Sequence, residues 1–214
     1  MVSESVTVPS GGAALAGDLG IPAGVRGMVL FAHGSGSSRH SPRNRAVATA
    51  LQLSGFGTLL LDLLTGKEES EDTATGRHRF DIGLLARRLA HTVDWLEQRP
   101  DTADLPVGLF GASTGAAAAL VAATERPRRV AAVVSRGGRP DLAGDALALV
   151  SSPVLLVVGG DDETVLDLNR QAAERLSAAA HHLHVVPGAT HLFPEPGALE
   201  QVAGLAADWF REHL

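Results

Sequence analysis

Apolar positions along the chain fall into two alternating kinds of stretch. Short continuous runs occur at Met28–Ala32, Thr58–Asp62, Val107–Phe110, Val130–Val134 and Val154–Val158. Such runs mark strands buried on both faces of a sheet. His182–Val186 reads as a last, more polar strand. Between the runs lie longer stretches with apolar residues at helical spacing. The clearest is Phe80–Arg99, where Leu84, Leu85, Leu89, Val93 and Leu96 share one face. Ser41-Pro42 reads as a cap followed by proline at the first helical position, opening a helix to about Ser54 that Gly55 ends. Further helices are expected over Ser113–Glu125, Val165–Ala179 and Ala198–Leu214. At the start, Val6–Val8 and Leu15–Leu19 read as a hairpin around a Pro9–Gly12 turn. Residues 63–78, with the acidic run Lys67–Asp72, read as a solvated loop that could still rim a pocket. Strands alternating with helices predict a mostly parallel sheet with helices on both faces. One domain over residues 1–214 is expected. No insertion is long enough for a large cap, so the site should be open.

Composition adjusts this picture only slightly. A chain of 214 residues with 45% hydrophobic residues suits one globular domain. With no cysteine, disulfides, thiolate metal sites and a cysteine nucleophile all drop out. The net charge of −6, with scattered or acid-paired arginines, argues against nucleic acid as a partner. The first eight residues lack a basic and then apolar leader, and no apolar run approaches a membrane span, so a cytoplasmic location is expected.

The chemistry gathers at the carboxyl ends of the expected strands. Gly111-Ala-Ser113-Thr-Gly115 matches G-x-S-x-G between a buried strand and a helix, the context of a nucleophile elbow in the α/β-hydrolase fold. The turn needs neighbours without bulk, and it presents the serine hydroxyl at a helix N-terminus. A serine needs a base. Of the nine histidines, His191 alone follows the elbow and lies just past the carboxyl end of a strand. His181, His182 and His184 sit at the wrong end of that strand, and their spacing suits a zinc site poorly. An acid is expected in Asp161-Asp162-Glu163, after the strand ending at Val158. The loop His33-Gly-Ser-Gly-Ser37 is placed to supply one oxyanion donor, the Ser35 N–H, and Thr114 N–H the other. His33 should pack structurally beneath that loop. Arg39 or Arg43, and Arg136 or Arg139, are candidates to favour an anionic substrate; Arg39 and Arg136 are the residues put forward.

Four stretches together resemble the dienelactone-hydrolase-like branch of the α/β-hydrolases. They are His33–Asn44, Gly111–Gly115, Val158-Gly-Gly-Asp-Asp162 and Gly188-Ala-Thr-His191-Leu-Phe193. The likeness spans nearly the whole chain. Some members of the branch are fused to phosphoribosyltransferase domains; because the likeness takes up nearly the whole chain, no such partner is expected within these residues. The spacing Gly159-x-x-Asp162-x-x-Val165 resembles the acid turn of the family and implies Asp162 as the acid. True dienelactone hydrolases use a cysteine nucleophile, where this chain has Ser113. The resemblance therefore implies hydrolysis of a small-molecule ester without implying the dienelactone substrate.

The expectation is a serine ester hydrolase using Ser113, His191 and Asp162, with no metal or cofactor. A thioesterase or acyltransferase with the same three residues stays open. So do a non-catalytic binding protein of this fold and a phosphate-handling protein built on the arginines.

Overall fold

A computed structural model describes residues 2–214. Its frame is an eight-stranded sheet in the order β1-β2-β4-β3-β5-β6-β7-β8. The strands are β1 (Val2–Ser10), β2 (Ala13–Ile21), β3 (Met28–Ala32), β4 (Gly57–Leu61), β5 (Val107–Ala112), β6 (Val130–Arg136), β7 (Val154–Gly159) and β8 (His181–Val186). β1 and β2 pair antiparallel with each other, and β2 joins β4 antiparallel. All later pairings are parallel. Every residue of β3, β4, β5 and β7 is buried, as continuous apolar runs require. The opening hairpin is longer than its pattern suggested. Ser10 still pairs with Ala13, so the turn is only Gly11-Gly12, both at positive φ. Two glycines are suited to such a turn, whose twist matches that of the strands.

The helices are α1 (Pro42–Leu53), α2 (Gly66–Thr75), α3 (Ile82–Gln98), α4 (Thr114–Glu125), α5 (Glu163–Arg175) and α6 (Ala198–His213). A 3-10 segment over Pro140–Leu149 lies between β6 and β7. Two apolar layers sandwich the sheet. One joins α3, α4 and α5 to side chains such as Leu30, Leu109, Val133 and Leu156. The other joins α1 and α6 to Phe31, Phe110, Val134 and Val157. Among the described residues, no helix is long and apolar enough to cross a membrane. α5 stops at Arg175, short of the expected Ala179. Leu176 is fully buried in the core there, and it turns the chain toward β8 despite the helix-favouring alanines that follow.

The expected loop over residues 63–78 is instead mostly α2. Its start signal is Thr65-x-x-Glu68, a capping box. Thr65 Oγ1 accepts from Glu68 N–H, and Glu68 Oε2 accepts from Thr65 N–H at 2.8 Å. Gly76 closes the helix in the left-handed conformation. The same Glu68 carboxylate takes both ends of the buried Arg88 guanidinium, at 2.7 and 2.8 Å, while Arg88 also donates to Leu63 O. A helix with few apolar residues is thus fixed by charge-assisted bonds rather than by a greasy face.

The Arg88 hydrogen bonds, ahead of the opposing cost of burial, hold the Glu68 carboxyl down at about 2. A depressed carboxylate stabilises the fold above its ordinary range, and that contribution is lost as pH falls through about 2. Acidification from about pH 5 to about pH 2.5 is therefore expected to loosen α2. Hydrogen exchange over residues 66–75 reads this directly. Glu68→Gln should raise exchange there already at neutral pH and flatten its pH dependence. Equal exchange in both proteins would contradict the role given to this pair.

Candidate active site

β5 lies in the middle of the sheet and passes into α4 through Ser113 alone. Ser113 has φ 50° and ψ −122°, a left-handed conformation rare for a residue with a Cβ. Hydrogen bonds hold it there. Its N–H donates to Arg136 O at 3.3 Å, and its carbonyl accepts from Ala116 N–H at 3.1 Å and Arg139 N–H at 3.0 Å. The flanking glycines are required by close approach. A Cβ on Gly111 would lie 2.4 Å from Ala116 Cα, and one on Gly115 would lie 2.2 Å from Ala32 O. Both obstacles are backbone, so no side chain can swing aside. Gly115→Ala should therefore destabilise the fold by about 3 kcal/mol, lowering Tm by roughly 6–12 °C. Thermal denaturation measures it, and a wild-type Tm would refute the packing argument.

His191 stands five residues past β8, and its Nδ1 lies 2.6 Å from Asp162 Oδ2. Asp162 lies three residues past β7, at the N-cap position of α5, where its side chain makes no capping hydrogen bond. Of the three carboxylates at the acid turn, only Asp162 meets the histidine. Asp161 serves the turn through its backbone, its N–H donating to Ala189 O at 3.0 Å. Glu163 opens α5, where a negative charge suits the helix N-terminus. The acid and histidine loops lock together. Gly160 N–H donates to Val186 O at 2.8 Å, and a Cβ on Gly159 would meet Ala189 O at 2.3 Å. Thr190 donates from its N–H and its hydroxyl to Glu195 Oε1. Phe193, fully buried at φ 55°, plugs the histidine loop into the layer beneath α6. Gly137 links the two halves of the site. It follows Arg136, the partner of Ser113 N–H, and a Cβ on it would lie 3.5 Å from His191 Nδ1.

The loop after β3 abuts the elbow, with a Cβ on Gly34 falling 3.0 Å from Ser113 Cβ. Ser35 and Thr114 are neighbours, but not as two free donors. Ser35 N–H donates to Thr114 Oγ1 at 2.9 Å, so the threonine hydroxyl occupies the donor expected for an oxyanion. His33 packs beneath, as its position suggested. Its Nε2 accepts from Leu63 N–H at 3.0 Å, and its Nδ1 faces Gly34 O at 2.9 Å. Those two partners require the neutral ring protonated on Nδ1. Burial lowers the pKa of His33 and acts the same way.

The arginines divide sharply. Arg39 does not face the pocket as a free cation. Its guanidinium pairs closely with Asp62 and lies 3.5 Å from Asp18, and its N–H donates to Asp62. Its charge is neutralised within the protein, which removes the basis for Arg39 as a substrate-binding residue. Arg139 is likewise paired, with Asp141 at 2.7 Å. Among the described residues, no carboxylate meets Arg136.

Beside the loop after β3 is a cavity of about 280 Å³ reaching Ser35 and Thr114. Leu64, Glu69, Thr73 and Arg79 line its other side, so α2 forms a wall of the site. The sequence allowed this segment to rim a pocket but not as a helix; the capping box at Thr65 was the signal for that.

A strained serine between strand and helix, followed in the chain by an Asp and then by a His at the carboxyl edge of a largely parallel sheet, defines an α/β-hydrolase. Residues 15–212 match the model of the dienelactone hydrolase family, and the chain belongs to that family. A dienelactone hydrolase from Anabaena variabilis superposes with TM-score 0.97 at 57% identity, covering 100% of this chain and 98% of that one. A dienelactone hydrolase-like promiscuous phosphotriesterase, P91 from metagenomic libraries, shares the fold at TM-score 0.78 and 19% identity, over 99% of this chain and 98% of that one. A Mycobacterium tuberculosis protein named "Putative phosphoribosyl transferase" is 59% identical over 211 residues, 99% of this chain. Those residues make up 46% of that protein, so the chain spans about half the length of this curated relative.

Proposed function

We propose that the chain is a serine hydrolase cleaving a carboxylic ester of a small molecule. Ser113 Oγ attacks the acyl carbon while His191 Nε2 takes its proton. His191 then protonates the leaving alcohol, and the acyl group stays on Ser113. Water, deprotonated by His191, attacks the acyl-enzyme and releases the acid and the serine. Asp162 holds the imidazole with Nδ1–H toward itself and stabilises the cation that forms. Thr114 N–H, directly after the nucleophile, is the donor for the developing oxyanion, and Ser35 N–H becomes a second once the oxyanion displaces Thr114 Oγ1 from it. One such donor contributes about 3–4 kcal/mol.

The observation that carries this reading is the 2.6 Å His191–Asp162 contact at the same carboxyl edge of the sheet as the strained Ser113. The adjoining cavity of about 280 Å³ suits a small acyl or alcohol portion. A fluorophosphonate probe tests the assignment, with mass spectrometry locating the adduct. Labelling of Ser113 together with turnover of short p-nitrophenyl esters is expected. A protein that folds but leaves Ser113 unlabelled would instead be a non-catalytic binder of the same fold. Faster turnover of acyl-CoA than of the matching oxygen ester would move the assignment to a thioesterase.

A further inference from the structure

Arg136 ends β6, with its carbonyl on Ser113 N–H and Gly137 directly after it. Alternation along the strand puts its side chain on the face of Ala132 and Val134, the layer covered by α1 and α6. Only 7% of Arg136 is exposed, and its Nε and Nη1 are sealed from solvent with no hydrogen-bond partner. Burial is the main influence lowering its pKa to about 10, and the second is another cation, Arg43. Arg43 lies in the first turn of α1, and its Nε is also buried without a partner. Asn44, next to it and 2% exposed, has an Oδ1 that accepts no hydrogen bond. The first turn of α1 carries no acid, although a helix N-terminus favours negative charge.

This differs from the treatment of other arginines near the site. Arg39, Arg79, Arg88 and Arg139 each meet a carboxylate. A buried guanidinium without a counter-ion is costly, and two that repel each other are more so. An anion from outside the chain would complete the arrangement.

We propose that Arg43 and Arg136 form a subsite for a phosphate monoester dianion beside Ser113. Two guanidiniums match a dianion, whereas a single carboxylate leaves one charge uncompensated. Arginine forks also suit the tetrahedral oxygens of phosphate. Asn44 Oδ1 is an acceptor for a ligand hydroxyl. The subsite rests on the hydrolase reading only for its role, which is to hold a phosphorylated acyl or alcohol portion next to the serine.

The binding test does not depend on turnover, because it uses the Ser113→Ala protein. Thermal melting and calorimetry compare inorganic phosphate with acetate and chloride at matched ionic strength. Phosphate at about ten times its Kd should raise Tm by about 3–6 °C, and acetate should not. Adding Arg136→Gln should raise Tm in phosphate-free buffer, since an uncompensated buried charge is gone, and should abolish the phosphate shift. A residue that merely supports the fold would lower Tm instead. Arg43→Gln, on a partly exposed residue, should also abolish the shift and decides the matter if the Arg136 variant does not fold. The proposal is overturned if phosphate gives no shift, if the shift survives both substitutions, or if acetate protects as well as phosphate. The hydrolase reading fails separately, through the labelling of Ser113.

Discussion

Ser113→Ala should lower kcat toward short p-nitrophenyl esters by roughly 10^5–10^6-fold while leaving Tm close to wild type. The two halves of this result have separate causes. Removing Oγ removes the only atom proposed to form the acyl bond, and the remaining histidine and acid cannot substitute for it. Stability should hold because alanine keeps the Cβ and hence the same conformational cost at φ 50°. Ser113→Gly sharpens the test. It should be as inactive, yet gain about 1 kcal/mol, because glycine adopts this conformation without the steric penalty. Steady-state kinetics and thermal melts of the two variants separate chemistry from strain. Retention of more than a few per cent of the wild-type rate in Ser113→Ala would sink the nucleophile assignment.

Asp162→Asn should cost about 10^4-fold in kcat with little change in KM. The 2.6 Å contact explains the size. A carboxylate accepts from Nδ1–H and leaves Nε2 free to take the serine proton. An asparagine can present its NH2 to Nδ1, which selects the opposite tautomer and puts a proton on the nitrogen needed as base. It also lacks the charge that stabilises the imidazolium. Asp161→Asn at the neighbouring position should keep activity within a few-fold, since that residue serves the turn through its backbone. If the two substitutions had equal effects, the acid would be wrongly placed.

Much of this site was legible in the chain because its constraints are local. Gly111 and Gly115 are glycine for steric reasons that a five-residue pattern expresses. His191 could be found by elimination, since strand polarity decides which loops face the site. The position of Asp162 rather than Asp161 came only with the family likeness. α2 escaped because its stability lies in polar bonds to Arg88, which hydrophobic periodicity does not record. Arg39 looked available because its partners, Asp18 and Asp62, lie on β2 and after β4, far from it in sequence. The engagement of Ser35 N–H by Thr114 spans 79 residues and has no local signature. Pairing across distant segments is where sequence reading loses sight of charge.

The interlocked acid and histidine loops have a kinetic consequence. Gly160 and Asp161 donate their amide protons to carbonyls of the segment that carries His191. Neither loop can open without breaking the other's hydrogen bonds, so the pair should behave as one cooperative unit in native-state hydrogen exchange. The amides of Gly160 and Asp161 are then expected to exchange through a common opening event with a shared denaturant dependence. A protein breathing at this edge would lose the proposed base and acid, His191 and Asp162, in the same moment, while Ser113, fixed in the centre of the sheet, stayed in place.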